Sequence, residues 1–397
     1  MTKNNKQKNI LFGWSEYKMN DIGKTYPGIT GKDKDDFGKG KPFVSYMNVY
    51  SNSKTNLNIK TLVDISDNEN QNRVKYGDIF FTTSSETPNE VGMSSVLLSK
   101  NFKDLFLNSF CFGFRLNNFK IIIPEFARFY FRGRYFRKEM TRIAQGISRF
   151  NLSKKYFLYT SIVVPDSIEE QNKIVQILET WDNYLEKLNK KIEIKKQIKK
   201  GLMQNLLTGK VRLKGFNDEW KNVKLGDVCK LYQPKTISSN EINRNGKYLV
   251  YGANGVIGRY DKYNHEESEV LITCRGATCG RINFSKPKSW ITGNAMVAQP
   301  IKNRIDKLFL FYLLNKINLL NVVTGLAQPQ ITRKDLSPFN IFISPLKEQQ
   351  AIAEILSSAD REIESLEKKK KIVEAQKKFL LNNLISGKIR HPEFINS

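Results

Sequence analysis

Ser167–Gly209 reads SIEEQNKIVQILETWDNYLEKLNKKIEIKKQIKKGLMQNLLTG, and the chain carries this stretch twice. From Ser344 to Gly387 it reads SPLKEQQAIAEILSSADREIESLEKKKKIVEAQKKFLLNNLISG. Ile174 corresponds to Ile352, Leu178 to Leu356, Asp182 to Asp360, Leu206 to Leu384 and Gly209 to Gly387, a constant offset of 178. A fixed offset over some forty residues marks an internal repeat.

Each copy has the spacing of one long helix. Alternating steps of four and three place Ile174, Leu178, Trp181, Leu185, Leu188, Ile192, Leu202 and Leu206 on one seam. The second copy gives Ile352, Leu356, Ala359, Ile363, Leu366, Val373, Leu380 and Leu384. This is the pattern by which two helices bury each other. Ser167 with Glu170 has the spacing of a capping box, and Gly209 and Gly387 stand where a left-handed residue stops a helix. Lysines interrupt both seams, at Lys195 and Lys199 and at Lys370 and Lys377. Ile194 and Ile198 are expected to carry the contact there by a local shift of phase.

A second repeat precedes the helices. Trp14-x-x-x-Lys18-Met19-x-Asp21-Ile22-x-Lys24 matches Trp220-x-x-x-Lys224-Leu225-x-Asp227-Val228-x-Lys230. The order is globule, helix, globule, helix: a first globule over 1–166, a helix over 167–209, a second globule over 210–344, a helix over 345–387 and a tail over 388–397. Lys210-Val211-Arg212 and Phe216 after the first helix recur as Lys388-Ile389-Arg390 and Phe394 after the second, so the layout is circular in design. Helices of forty residues reach about 60 Å. An antiparallel return buries both seams on a pseudo-twofold axis, with the globules at opposite ends of a rod. The fold class expected is α+β: two mixed α/β domains joined by an antiparallel coiled coil.

Within each globule, Tyr76–Ser84 and Glu269–Gly276 read as strands, and Phe126–Ile143 and Leu308–Val323 as helices, each followed by a glycine (Gly146, Gly325) and a polar loop. Strands Tyr159–Val164 and Phe339–Ile343 then feed the long helices. Tyr251-Gly-Ala-Asn-Gly-Val-Ile-Gly258 lacks the strand–turn–helix setting of a phosphate loop and reads as a hairpin or irregular turn.

With 65 Lys and Arg against 39 Asp and Glu, the chain is built for a polyanion, nucleic acid ahead of anionic membrane. Cys111, Cys229, Cys274 and Cys279 lack metal-ligand spacing and are expected as buried thiols in a reducing compartment. No apolar leader or bilayer-length run is present, which makes the cytoplasm the expected location and a membrane role unexpected. Two histidines, no Gly-x-x-x-x-Gly-Lys-Ser/Thr loop and no Asn/Asp-Pro-Pro-aromatic motif leave no catalytic or metal constellation. The chain reads as a binder without chemistry of its own. A basic architectural coiled-coil protein and an enzyme with an unrecognised site are the rival classes.

Candidate base-reading groups fall at corresponding places in the halves. Arg142, Gln145 and Arg149 surround Gly146, and Gln328, Gln330, Arg333 and Lys334 follow Gly325. Gln and Arg pair with adenine and guanine edges in the major groove. Thr82, Thr83, Ser84 and Ser85 at one strand end, and Arg275 and Thr278 at the other, add short donors and acceptors. Arg128, Arg132, Arg134, Arg137 and Arg142 alternate with aromatics. A phosphate-gripping face and a solvated amphipathic helix are both open readings. The lysine-rich flank of the first long helix suits solvent and could also dock partner subunits.

This arrangement resembles the specificity subunit of type I restriction–modification enzymes. The resemblance covers nearly the whole chain and rests on Trp220…Lys224-Leu225-Gly226-Asp227, Tyr251–Gly258, Arg275-Gly-Ala-Thr278 and Pro345-Leu-x-Glu-Gln349. Glu170-Gln171…Leu207-Thr208-Gly209-Lys210, repeated as Glu348-Gln349…Ile385-Ser386-Gly387-Lys388, carries it furthest. It implies that each globule reads half of a split, asymmetric site in double-stranded DNA while the helices set the gap. It also implies two methyltransferase subunits that use S-adenosylmethionine on adenine N6. Motor–nuclease subunits using ATP and Mg would complete the assembly, with no cofactor on this chain.

Overall fold

The computed structural model describes residues 11–325 and 329–395. Contacts divide the chain into two units: one runs up to Lys187 and resumes at Lys370, the other spans Leu188–Lys369. Each long helix is therefore shared, giving one half to each unit. The helices run Ile168–Leu206 and Leu346–Leu384, 39 residues each. Gly209 and Gly387 lie beyond their ends with φ of 68° and 70°, the left-handed geometry that favours glycine.

In the first unit, a four-stranded antiparallel sheet runs in the order Gly23–Pro27, Cys111–Leu116, Ile79–Thr82, Ser94–Val96. Phe81, Phe112, Phe114, Phe131, Phe136 and Phe157 fill its core, with Phe131 and Phe136 ring centres 4.6 Å apart. Ile174 and Leu178 of the first long helix join this core, as do Leu384 and Ile385 from the end of the second. Asp182 meets Lys377 across the seam. The two helix halves therefore run antiparallel.

The second unit repeats the plan. Its sheet runs Cys229–Tyr232, Ala295–Pro300, Val270–Thr273, Ile282–Phe284. Leu206, Ile352 and Leu356 join a core built around Ile272, Met296, Phe309 and Leu313. Here Lys199 meets Asp360 at 2.5 Å, the repeat's counterpart of Lys377 with Asp182, and Lys195 meets Glu362 at 2.8 Å. The expected phase shift does not occur. Ile194 and Ile198 are 59% and 50% exposed, and Lys195 and Lys199 keep their places on the seam because each finds an acid across the helix pair.

The opening repeats have matching jobs. Trp14–Lys18 pairs antiparallel with Ser161–Pro165, the strand that leads into the first long helix. Lys221–Lys224 pairs likewise with Asn340–Ile343. The Glu-Gln repeat fastens each helix to its domain. Gln171 accepts from the Ile123 N–H at 3.0 Å and donates to the carbonyls of Ile121 and Pro165, while Gln349 accepts from Asp306 N–H and donates to Ser344 O. Ser167 caps its helix by accepting from the Glu170 N–H. The second half of the expected capping box is missing, because the Glu170 carboxylate is bound by Arg390.

The expected helix over 126–143 is broken into Pro124–Tyr130 and Arg134–Ile143. At the break, Gly133 lies so near the second long helix that a Cβ there would sit 1.7 Å from Ile385 Cδ1. The element expected over 308–323 is likewise a helix, Lys307–Lys316, followed by a 3-10 turn at Leu319–Val322. Tyr251–Gly258 is a hairpin, with Tyr248–Gly252 paired to Gly255–Tyr260.

Candidate nucleic-acid interface

In the first unit the strand Ile79–Thr82 continues through Thr83 into Ser84–Ser85, which leaves the main sheet. Ser84–Ser85 pairs with Phe150–Leu152, and that strand pairs with Ala144–Gln145. The register sets Ser84 opposite Asn151 and Asn151 opposite Gln145. Gly146 makes the turn possible: its φ is 139°, and a Cβ would meet Arg149 O at 2.0 Å. Two regions that are some sixty residues apart in sequence thus form one edge.

The second unit builds the same edge. Beyond Val270–Thr273, Arg275 bridges to Gln330, and Gln330 bridges to Thr324 through reciprocal backbone bonds of 2.8 Å. Gly276 N–H donates to Pro329 O, and Ile331 N–H to Cys274 O, both at 3.0 Å. Gly325, with φ of 84°, starts the turn as Gly146 does. Arg275 thus occupies the place of Ser84, Gln330 that of Asn151, and Thr324 that of Gln145.

The expected residues divide by exposure. Gln145, Arg149, Arg275 and Gln330 are exposed on these edges, and Arg149 stacks over the exposed Phe110 ring at 5.7 Å. Arg142 is exposed on the preceding helix beside Glu139, and Arg333 and Lys334 are exposed on the short helix that Thr332 caps. Thr83 and Ser85 are half-buried, as is Thr278, whose carbonyl accepts from Arg281 N–H. Gln328 lies outside the described residues.

Thr82 and Ser84 are corrections. Thr82 is wholly buried; its hydroxyl donates to Glu90 O at 3.2 Å and accepts from Met93 N–H at 2.9 Å. Ser84 is buried and gives its carbonyl to the Tyr46 hydroxyl. Both support the edge from beneath.

Three arginines of the basic stretch, Arg128, Arg132 and Arg137, fit neither open reading, whereas Arg134 and Arg142 are exposed on the helix Arg134–Ile143. Arg128 is buried against Glu179 and Asp182 of the first long helix. Arg132 donates to the carbonyls of Val49, Tyr50, Asn52 and Ser94, and Arg137 to those of Asn89 and Val91. Burial pushes Arg132 and Arg137 down to about 10, so both still carry charge at neutral pH. They serve carbonyls at the end of the helix Tyr46–Ser51, at the start of the strand Ser94–Val96 and in the adjoining loops.

Sequence reasoning missed a concavity of about 400 Å³ beside the first edge, lined by Tyr46, Tyr50, Ser85, Glu90, Phe110 and Arg149. The signal was the polar run Ser84-Ser85-Glu86-Thr87-Pro88-Asn89-Glu90, a turn directly after a buried strand. The four cysteines are buried and unpaired, and burial pushes the Cys229 thiol up to about 12. Among the described residues no His, Cys, Asp or Glu cluster could hold a metal, and no helix is long and apolar enough to cross a membrane.

Known proteins share this plan. Residues 12–199 and 217–375 both match the type I restriction modification DNA specificity domain. A Methanocaldococcus jannaschii relative, provisionally named the MjaX specificity subunit of a type I restriction enzyme, is 27% identical over 95% of this chain and 94% of its own. The MjaVIII specificity subunit of the same organism is 30% identical over 60% of this chain and 64% of its own. Among solved structures, the S subunit of a type I system from M. genitalium covers 97% of this chain and 98% of its own, at 16% identity and a TM-score of 0.60.

Proposed function

Since the chain belongs to the type I restriction modification DNA specificity family, we propose that its two domains each read one half of a split, asymmetric DNA site. The chain is a specificity subunit of a type I restriction–modification system. The finer reading is supported by one observation above the rest. Both units present an edge of the same pairing, but with different side chains: Gln145, Asn151 and the buried Ser84 in the first, Thr324, Gln330 and the exposed Arg275 in the second. Equal scaffolds with unequal donors and acceptors suit two unequal half-sites. Base edges supply the sequence, and phosphate contacts from a chain of net charge +26 supply salt-dependent affinity.

In this reading the paired helices hold the gap between half-sites constant. The chain itself has no catalytic role. Two methyltransferase subunits bring S-adenosylmethionine to adenine N6, and motor–nuclease subunits bring ATP and Mg. Genome-wide mapping of modified adenines, with and without the gene, tests the reading. A split motif that appears only with the gene is expected. Methylation without a split motif, or the same motif in the deletion, would refute it.

A further inference from the structure

A carboxylate at a DNA-facing edge is repelled by phosphates, so one that is held there needs a reason. Glu90 lines the concavity beside the first edge with Ser85, Phe110 and Arg149. Its carboxylate accepts from Tyr50 Oη at 2.9 Å and from Ser85 Oγ at 2.7 Å. These bonds, with help from Thr87, hold its carboxyl below the usual carboxylate range. No lysine or arginine among the described residues pairs with it.

Its backbone is fixed from three sides. Thr82 Oγ1 donates to Glu90 O, and one guanidinium nitrogen of Arg137 donates to Asn89 O and Val91 O, both at 2.7 Å. Tyr50 is held in turn, its ring stacked on Tyr46 at 6.3 Å with a 12° interplanar angle. Four buried or half-buried side chains, Tyr50, Ser85, Thr82 and Arg137, are thus spent on placing one acid and its backbone. That is how a recognition group is made rigid.

Two hydrogen bonds use about half of a carboxylate's acceptor sites. What remains can only accept. In the major groove the base donors are the exocyclic amino groups of adenine N6 and cytosine N4, while guanine O6 and N7 and thymine O4 are acceptors that a carboxylate repels.

We propose that Glu90 is a specificity-determining residue that selects a base with an exocyclic amino group, adenine or cytosine, within the half-site of the first domain. This rests on the half-site reading above. The second domain presents Arg275 on its corresponding edge, a group that can only donate. The two halves therefore demand opposite hydrogen-bond polarity.

The test selects duplexes from a randomised library with the chain assembled with its methyltransferase subunits, as wild type, Glu90→Ala and Glu90→Gln. Wild type should require adenine or cytosine at one position of one half. Glu90→Ala should relax that position alone, and Glu90→Gln should admit guanine or thymine there. Replacing the selected base by its analogue without the amino group (purine for adenine, pyrimidin-2-one for cytosine) should weaken wild type roughly ten-fold and leave Glu90→Ala unchanged. Unchanged selection by a variant that melts like wild type overturns the proposal. If Glu90→Ala does not fold, Glu90→Gln decides by the same criterion. A wild-type complex that selects no split motif instead sinks the half-site reading itself.

Discussion

Arg390 grips Glu170 with a guanidinium fork, Nε at 2.8 Å and Nη2 at 2.7 Å, although 220 residues separate them. Arg212 grips Glu348 in the same way, at 2.7 and 2.8 Å. Both glutamates are almost fully buried at the start of a long helix. The residues after each helix thus return to a domain base in both halves. Arg390 also donates to Phe12 O, tying the tail to the opening segment of the same unit.

Removing Arg390 leaves a buried carboxylate without its cation. Arg390→Ala should destabilise the chain by about 3 kcal/mol, read from denaturant melts. Adding Glu170→Gln should restore part of the loss, because the neutral amide is cheaper to bury alone. A double variant no more stable than Arg390→Ala would show that the fork adds nothing.

The seam register makes a gap prediction. Asp182 opposes Lys377 and Lys199 opposes Asp360. Seven residues inserted after Lys190 and seven after Lys368 lie midway between these pairs, so each insert faces the other and the heptad phase is kept. The added length is about 10 Å, up to about three base pairs of gap. Methylation maps should show a longer gap and unchanged halves. Altered halves with the old gap would count against the helices as spacer.

Arg275→Ala and Gln330→Ala should each relax one half-site, the one read by the second domain. The expected loss is about 1–3 kcal/mol of discrimination per base contact, measured by competition between cognate and single-mismatch duplexes. Lys334→Ala should instead weaken all sequences alike and flatten the salt dependence. A change in the half-site of the first domain would reverse the assignment.

Glu269 gives a pH prediction. It is buried, and desolvation raises its pKa, with Lys307 at 3.6 Å opposing the shift. A raised carboxylate pKa means the folded chain holds the proton more tightly than the unfolded one. That contribution is complete below the unfolded value of about 4.3 and is lost as pH rises through the folded value. Glu269→Gln should therefore melt higher than wild type at pH 7 and match it at pH 4. A lower melting temperature at pH 7 would mean the Lys307 contact outweighs burial.

Much of this molecule was legible because it was written twice. The helices, their seam and their glycine stops follow from local periodicity. So does the pairing of Gly146 with Gly325 as turn points. What escaped was set by distant backbone. The alternation in Phe126–Arg142 announces basic side chains, but nothing local says that Arg132 and Arg137 will meet the carbonyls of Val49, Asn52, Asn89 and Val91. The crowding of Gly133 comes from the distant Ile385, and the burial of Thr82 involves the turn at Glu90. Ile194 and Ile198 misled because apolar character was weighed above the acids waiting opposite Lys195 and Lys199.

The reciprocal seam pairs make each long helix its own complement. Asp182 and Lys199 sit on one, Asp360 and Lys377 on the other, at matching places. One helix laid head to tail on a duplicate of itself would meet the same acid and base. A chain halved to its first domain and coil would keep these two pairs against its twin. It would lose those of Lys195 and Lys196, because Tyr184 and Asn189 stand where Glu362 and Glu367 stand in the other copy. In the reading proposed above, such a dimer would carry two identical readers and address a palindrome.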